Sequence, residues 1–188
     1  MAKNLIIYYS RKGQNYWNGS IRELKKGNTE IVAEFIQKAV GGDLFEIETV
    51  KEYSKDYMTC TEEAQAELRA KARPELKRYL DDISAYDNIF VCGPCWWGTF
   101  PMAVLTQLER LDFTGKKVFS VMTHEGSGLG GSERTLKQVC KGATGGRGHL
   151  FAVGNLFIIA PTAQHTCMRL FGSDCRHAQT HSYLAARI

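Results

Sequence analysis

Residues 89–101 read Ile-Phe-Val-Cys-Gly-Pro-Cys-Trp-Trp-Gly-Thr-Phe-Pro, and this stretch decides the prediction of the fold and of the site. An apolar run ends at Gly93-Pro94, and two adjacent tryptophans, Trp96 and Trp97, follow where loop residues are expected. Such an unbroken apolar run is typical of a parallel strand that is buried on both faces. A strand that ends in aromatic side chains beside backbone amides offers a flat surface for a planar heteroaromatic ligand.

Strand and helix patterns alternate on both sides of this stretch. The predicted strands are Leu5–Tyr9, Leu44–Val50, Asn88–Val91 and Lys117–Met122, with Leu150–Val153 or Leu156–Ala160 as a fifth; the predicted helices are Thr29–Val40, Thr61–Lys71, Leu76–Leu80, Met102–Leu111, Ser132–Cys140 and Ser173–Arg187. This alternation predicts an α/β fold with a doubly wound parallel sheet. A chain of 188 residues with 44% apolar content is sized for a single domain spanning residues 1–188.

Composition excludes several classes of protein. The apolar stretches are too short to span a membrane, and Met1–Asn4 leads directly into a strand, so we expect neither a membrane association nor a signal peptide. Six cysteines in a domain of this size favour free thiols and hence a cytoplasmic location. The net charge of +4 is modest and no stretch is densely basic, so nucleic acid is not an expected partner.

In a doubly wound sheet, ligands bind outside the carboxyl ends of the strands. After the first strand comes Ser10, then a long insertion, Gln14–Lys26, then Gly27-Asn28-Thr29 at the start of a helix. Free amides at a helix N-terminus bind phosphate, although Asn28 or Thr29 could instead only cap the helix. The insertion exceeds a typical strand-to-helix loop, so we expect it to fold over the ligand.

The other two strand ends carry the aromatic and glycine-rich loops. We expect one of Trp96 and Trp97 to face a ligand ring, while the other packs against a neighbouring helix. The fourth strand runs into a polar loop, residues 123–131, with many exposed amides; alone, this loop could be only a flexible connection.

These motifs together resemble the flavodoxin family, and most closely its small bacterial flavodoxin-like proteins. The resemblance spans residues 4–141 and rests on Tyr-Tyr-Ser, Gly-Asn-Thr-Glu, Asp-Leu-Phe-Glu-Ile-Glu, Pro-x-Trp-Trp-Gly-Thr-x-Pro-Met and Thr-His-x-Gly-Ser-Gly, in that order. It implies bound FMN and five strands ordered 2-1-3-4-5. It also implies that Ser10, Asn28 and Thr29 hold the phosphate, that Pro94, Cys95, Trp96, Trp97, Gly98 and Thr99 flank the isoalloxazine, and that Thr123, Glu125, Gly126, Ser127 and Gly128 close its other edge. Cys95 stands where the family often has Asn.

Three other motifs suggest competing functions and carry less weight. Cys92-Gly-Pro-Cys95 matches a thioredoxin dithiol, but Cys92 is expected within a strand and Trp-Trp-Gly-Thr follows where the thioredoxin helix would run. Gly126–Gly131 matches a dinucleotide-binding glycine pattern but lacks the acidic residue about 20 positions on. A response regulator needs an acidic pocket where the first strand here ends in Tyr-Ser.

The predicted function follows from the cofactor, because FMN carries the redox chemistry and the protein positions it. We expect an electron carrier that serves a redox partner protein or a small acceptor. The alternatives are an NAD(P)H-dependent quinone or small-molecule reductase, and a binding module that has lost the flavin. No nucleophile or acid–base pair stands out, and His124 is either a proton relay or a solvated loop residue.

The composition changes abruptly at residue 142. From there on the chain has no Lys and no Glu, yet it holds four of the five histidines. Either a reading-frame change or a natural divergent terminus explains this shift. His177 and His181 have the i, i+4 spacing that can bind a metal, but chance clustering in a histidine-rich segment is the favoured explanation, and no metal site is expected.

Overall fold

The computed structural model describes residues 2–145 and 149–152 of the protein. In chain order its elements are β1 (Asn4–Tyr8), β2 (Gly13–Trp17), β3 (Ser20–Leu24), α1 (Asn28–Val40), β4 (Asp43–Glu46), α2 (Tyr57–Ala70), β5 (Asn88–Pro94), α3 (Met102–Leu108), β6 (Lys117–His124), α4 (Ser132–Val139), β7 (Thr144–Gly145) and β8 (His149–Ala152). The strands alternate with helices, as the sequence predicts.

The main sheet is parallel. Its strands run in the order β4-β1-β5-β6, and two short strands then lie along the free side of β6. Of these two, β7 pairs with the start of β6 and β8 with its end. The α/β class with a parallel sheet is therefore confirmed. Within the described residues, the expected fifth strand does not appear as one continuous strand. Its alternative position at Leu156–Ala160 lies outside the described residues. The predicted helix Ser173–Arg187 and the pair His177 and His181 lie outside them too.

Each face of the sheet has its own apolar layer. Leu5 and Ile7 of β1 point to the face covered by α3, where they join Ile89, Val91 and other buried side chains. Ile6 and Tyr8 alternate with them and point to the face covered by α1. This alternation follows from the two-residue period of a strand, and it explains why β1 is apolar throughout.

No helix within the described residues is long and apolar enough to cross a membrane; α2, at 14 residues, is the longest of them. This helix begins four residues before the predicted start at Thr61. Asp56 caps it, since the Asp56 carboxylate accepts a hydrogen bond from the Thr59 amide at 2.8 Å.

The segment predicted as a helix over Leu76–Leu80 is not helical. Lys71 ends α2 in the left-handed conformation, with φ of 50°, and Pro74 follows three residues later. Leu76 instead forms an isolated antiparallel bridge with Thr49 and is buried. The Val50 amide donates to the Glu75 carbonyl and the Lys77 amide donates to the Glu48 carbonyl, so this segment pairs its backbone with residues 48–50 instead of forming a helix.

The insertion between β1 and α1 forms a separate two-stranded antiparallel hairpin of β2 and β3. Its turn is Asn18-Gly19, with φ of 48° and 81°. Two positive φ angles in succession define the tight turn that Asn-Gly favours, so the sequence carried a signal for this hairpin that our prediction missed.

Candidate functional site

A crevice of about 220 Å³ lies at the carboxyl ends of the parallel strands. Because β1, β5 and β6 run in one direction, the loops that follow them meet at one edge of the sheet. The lining comes from these three loops, from the start of α1, and from the hairpin and the first residue of α2. The described residues that line it are Arg11, Asn15, Tyr16, Asn28, Thr29, Tyr57, Pro94, Cys95, Trp96, Thr123, His124, Glu125 and Ser127.

The start of α1 forms one end of the crevice. The N-cap residue, Gly27, has no side chain, and Ser10 acts in its place by accepting a hydrogen bond from the Glu30 amide at 3.0 Å. Within the described part of the chain, the amides of Asn28 and Thr29 have no acceptor, as is usual for the first residues of a helix. The helix therefore presents partial positive charge and free donors to the crevice.

Close packing holds this helix start against the first loop. A Cβ atom on Gly27 would lie 2.1 Å from the Ser10 hydroxyl and 2.5 Å from the Arg11 carbonyl. The Thr29 and Thr123 hydroxyls are 2.8 Å apart and buried, and they join α1 to the end of β6. Asn28 differs from Thr29 and Thr123, because its side-chain Oδ1 is buried and has no hydrogen-bond partner among the described residues. A buried acceptor left unpaired costs free energy unless a ligand supplies the donor.

The two tryptophans have different positions. Trp96 lines the crevice and packs edge-to-face on Tyr9 and Tyr53, with ring centroids 5.4 and 5.0 Å away. Trp97 is 52% exposed, and its indole N–H donates to the Thr61 carbonyl of α2 at 2.8 Å. One indole therefore borders the crevice and the other contacts a helix; the contact of Trp96 with a ligand ring stays a prediction.

A tight turn places Trp97 outside the lining. Trp96 and Thr99 exchange two backbone hydrogen bonds, and the intervening Trp97 and Gly98 have φ of 52° and 82°. The Gly98 carbonyl accepts from the Gly131 amide, and the Thr99 hydroxyl lies 2.9 Å from that of Thr135. Among the predicted ring contacts, Trp97, Gly98 and Thr99 thus lie beside the crevice and anchor the start of α4.

The third loop is organised by a histidine. His124 Nδ1 accepts hydrogen bonds from the Gly126 amide at 2.9 Å and from the Gly128 amide at 3.2 Å. Burial lowers the pKa of His124 below its ordinary value of 6.5, while the neighbouring Glu125 opposes this shift. Nδ1 therefore remains an unprotonated acceptor at neutral pH, and the amides of Gly126 and Gly128 are directed at the imidazole.

The hairpin spans the crevice and supplies residues that the sequence analysis did not include. At its tip, the Asn18 amide donates to Glu125 Oε1 at 3.1 Å. At its base, Gln14 Oε1 accepts from the Tyr57 amide at 2.9 Å, and Arg11 donates to the Lys55 carbonyl at the same distance. Tyr16 faces Tyr57, with ring centroids 6.2 Å apart. The expected cover over the ligand is therefore fixed at both ends.

Eight of the fourteen predicted residues line the crevice: Asn28, Thr29, Pro94, Cys95, Trp96, Thr123, Glu125 and Ser127. The other six, Ser10, Trp97, Gly98, Thr99, Gly126 and Gly128, belong to the surrounding turns. Arg11, Asn15, Tyr16 and Tyr57 were missed because the sequence does not reveal which side chains of the insertion point into the crevice, or that α2 begins at Tyr57.

A larger groove, of about 970 Å³, lies away from the strand ends. Side chains of α2, α3 and α4 line it, and the ion pair between Arg73 and Glu109 lies on its rim. The two buried side-chain atoms that lack a hydrogen-bond partner among the described residues belong to Asn28 and Glu30, at the start of α1, and not to this groove. The crevice at the strand ends is therefore the better candidate site.

The protein thus has a parallel α/β fold with a candidate ligand site at the carboxyl ends of its strands. The family model described as Flavodoxin matches residues 24–156, so this chain belongs to the flavodoxin family.

Solved structures resemble the chain over most of its length. A Bacteroides eggerthii protein regarded as a flavoprotein is 26% identical, with a TM-score of 0.69, over 91% of this chain and 98% of that one. A similar Bacteroides uniformis protein is 28% identical, with a TM-score of 0.66, over 80% and 90%. A Lactobacillus acidophilus flavoprotein in complex with FMN shares the fold at 20% identity, with a TM-score of 0.61, over 80% and 93%. No curated protein matches the chain.

Proposed function

We propose that this protein binds FMN in the crevice and transfers electrons through it. Membership of the flavodoxin family, and the FMN complex of the Lactobacillus acidophilus protein, support FMN as the cofactor. When bound, FMN supplies the reversible redox chemistry, and the protein supplies position and environment. The proposal includes the strand order 2-1-3-4-5 of this family, with β7 and β8 together in the fifth place.

The start of α1 provides the observation that carries the proposal. It combines two free amide donors, at Asn28 and Thr29, with one buried acceptor that lacks a partner, Asn28 Oδ1. A phosphate needs donors, and a hydroxyl group can satisfy an acceptor. The ribityl phosphate of FMN carries both groups on neighbouring atoms, so the donor and acceptor chemistry of this helix start fits it.

The rest of the crevice suits an aromatic ring system. Trp96 and Tyr57 contribute aromatic surface to the lining, and Glu125 and Ser127 contribute polar groups. The volume of about 220 Å³ is below the roughly 300–1,000 Å³ of typical small-molecule sites, so we expect one edge of the flavin to remain accessible. An accessible ring edge favours exchange of electrons with a partner, as in a carrier.

Titration of the purified protein with FMN and with riboflavin tests the proposal. We expect a flavin absorbance spectrum and tight binding of FMN, with much weaker binding of riboflavin, because riboflavin has no phosphate for the start of α1. Equal affinity for FMN and riboflavin would show that the start of α1 does not bind the phosphate. Protein that is colourless and does not bind added FMN would overturn the whole proposal.

The carrier and reductase functions are separated by turnover. We propose a carrier, which should show no steady-state oxidation of NADH or NADPH with a quinone acceptor. Sustained turnover would identify a reductase instead. The four cysteines of the described residues are free thiols, which supports the cytoplasm as the proposed location.

A further inference from the structure

One cluster of positive charge lies in the hairpin segment. Residues 11–26, which form the hairpin and its flanks, contain five basic residues and one acidic residue. The chain as a whole has 24 basic and 20 acidic residues, which leaves 19 of each for all the other positions. Residues 69–78 have the same excess of positive charge, but none of them lines the crevice. The hairpin segment spans it.

Four basic side chains at this end of the molecule have no carboxylate partner within the described part of the chain. Arg11 donates only to backbone carbonyls, Arg22 donates to the Ser20 hydroxyl, and Lys25 and Lys55 make no ion pair there. Lys12 and Lys26 differ, since they pair with carboxylates of α1 and β4. Glu23 and Glu125 are also close by and only partly offset the excess of positive charge.

Exposed apolar side chains lie beside these charges. Tyr16 and Ile21 are 41% and 47% exposed and stand directly opposite each other in the hairpin, so their side chains share one face. Met58, in the first turn of α2, is 58% exposed, and Trp97 is 52% exposed. We call these four residues the apolar platform.

The apolar platform is continuous around the first turn of α2. The Tyr16 ring faces Tyr57, the residue before Met58, and the Trp97 indole bonds to the Thr61 carbonyl. The Thr61 hydroxyl in turn donates to the Met58 carbonyl at 2.7 Å. Tyr16 and Tyr57 also line the crevice, so the platform borders the place where FMN is proposed to lie.

We propose that the apolar platform and its basic border dock an acidic redox protein that exchanges electrons with the flavin. This inference rests on the proposed function, and it names the chemistry of the partner. The four apolar side chains come from three separate elements, a spread that suits a protein surface better than a single nucleotide. Unpaired basic groups around an apolar centre favour a partner with the opposite arrangement of charge, and they steer its approach.

Electron transfer to two haem proteins of opposite charge tests the docking surface. The FMN-loaded protein is reduced, and each haem iron then takes one electron from the flavin and passes from Fe(III) to Fe(II). The probes are cytochrome b5, which is acidic, and cytochrome c, which is basic. We expect the second-order rate constant with cytochrome b5 to fall steeply as salt is added, because screening weakens the attraction of opposite charges. The rate constant with cytochrome c should change little or rise.

A matched pair of charge reversals localises the effect. Arg22→Glu with Lys25→Glu should lower the rate constant with cytochrome b5 at low salt at least tenfold. Lys137→Glu with Lys141→Glu changes the net charge by the same amount, at exposed positions in α4 and just after it. This control pair should leave the rate constant with cytochrome b5 largely unchanged. Equal effects of the two pairs would show that only the total charge matters, and would overturn the proposal.

Removal of apolar surface supplies a second, independent measurement. Ile21→Ser with Met58→Ser should weaken the affinity for cytochrome b5 several-fold, measured by calorimetry, without changing FMN binding. Sedimentation of the unaltered protein checks for a second copy as occupant; a dimer that these substitutions dissociate would overturn the proposal. If the protein does oxidise NADPH, and the charge reversal in the hairpin slows only that reaction and not the reaction with cytochrome b5, the proposal is also overturned.

Failure of the proposed function gives a different result from failure of the docking surface. If the protein does not bind FMN, no electron transfer is measurable, yet calorimetry with cytochrome b5 still measures docking. If FMN binds and cytochrome b5 does not, the docking surface is wrong and the proposed function stands.

Discussion

At the scale of single residues, Asn28 gives the most direct test of the site. We expect Asn28→Ala to weaken FMN binding about fivefold, since one hydrogen bond contributes ~1 kcal/mol and ~1.4 kcal/mol is a factor of ten. The unfolding free energy of the FMN-free protein should not fall, because the substitution removes a buried acceptor that has no partner there. Fluorescence titration and thermal unfolding measure the two quantities. A loss of stability equal to the loss of affinity would contradict a role in binding.

His124 should make the third loop sensitive to acid. The pKa of His124 in the folded protein lies below the ordinary value of 6.5, which means that folding favours the neutral imidazole. This contribution to the stability of the folded protein is fully present above pH 6.5. The stabilisation is lost as the pH falls through the lowered pKa, because a proton on Nδ1 removes the acceptor for the Gly126 and Gly128 amides. We expect FMN affinity and thermal stability to decrease between pH 6.5 and 5.

The variant His124→Gln isolates this effect from the other histidines of the chain. Gln retains a side-chain acceptor and does not titrate, so its stability should depend less on pH over the same range. Unfolding midpoints at pH 7.5, 6 and 5 compare the two proteins. Parallel pH profiles would show that His124 does not control the loop.

At the scale of elements, the start of α1 depends on Gly27. We expect Gly27→Ala to destabilise the protein by about 1–3 kcal/mol and to weaken FMN binding, because the added Cβ would collide with Ser10 and Arg11. Gly131→Ala is the matched control, since its Cβ would lie 3.6 Å from the nearest atom, the Gly98 carbonyl oxygen. Chemical denaturation measures both. Equal costs for the two substitutions would disprove the steric argument.

The hairpin turn can be opened without disturbing the main sheet. We expect replacement of Asn18-Gly19 by Ala-Ala to disfavour the two positive φ angles and to release the contact with Glu125. Limited proteolysis should then cut within residues 13–24 several times faster, while the unfolding midpoint changes little. Lys25→Ala, at an exposed position just after the hairpin, serves as the control. A large drop in the midpoint would mean that the hairpin contributes to the core.

The elements differ in how well the sequence predicts them. Strand β5 was identified correctly because its burial on both faces leaves a continuous apolar run. The start of α2 was missed because the apolar signal of its first turn is weak, although Asp56 is a favourable cap. The crevice residues on strand ends follow from topology alone. Tyr16 and Tyr57 do not, because only tertiary packing brings the hairpin and α2 together.

At the scale of the whole molecule, the free thiols report on the core. Burial raises the pKa of Cys60 to about 11 and that of Cys140 to about 12, and raises that of Cys92 further within β5. Cys95 is half-buried and lines the crevice. Among these four thiols, we expect iodoacetamide to label Cys95 first, and bound FMN to protect it. Mass spectrometry of the peptides identifies each site. Labelling of Cys92 at the same rate would contradict its burial.

The hairpin also bears on the order in which this chain folds. Its strands join residues no more than 11 positions apart, as in the pair Gly13 and Leu24, whereas β1 and β5 join Asn4 to Asn88. Local pairings close small loops and form within microseconds, while the parallel strands must wait for long crossovers. During synthesis on the ribosome, the span that crosses the crevice can thus take shape while most of the sheet beneath it has yet to be made.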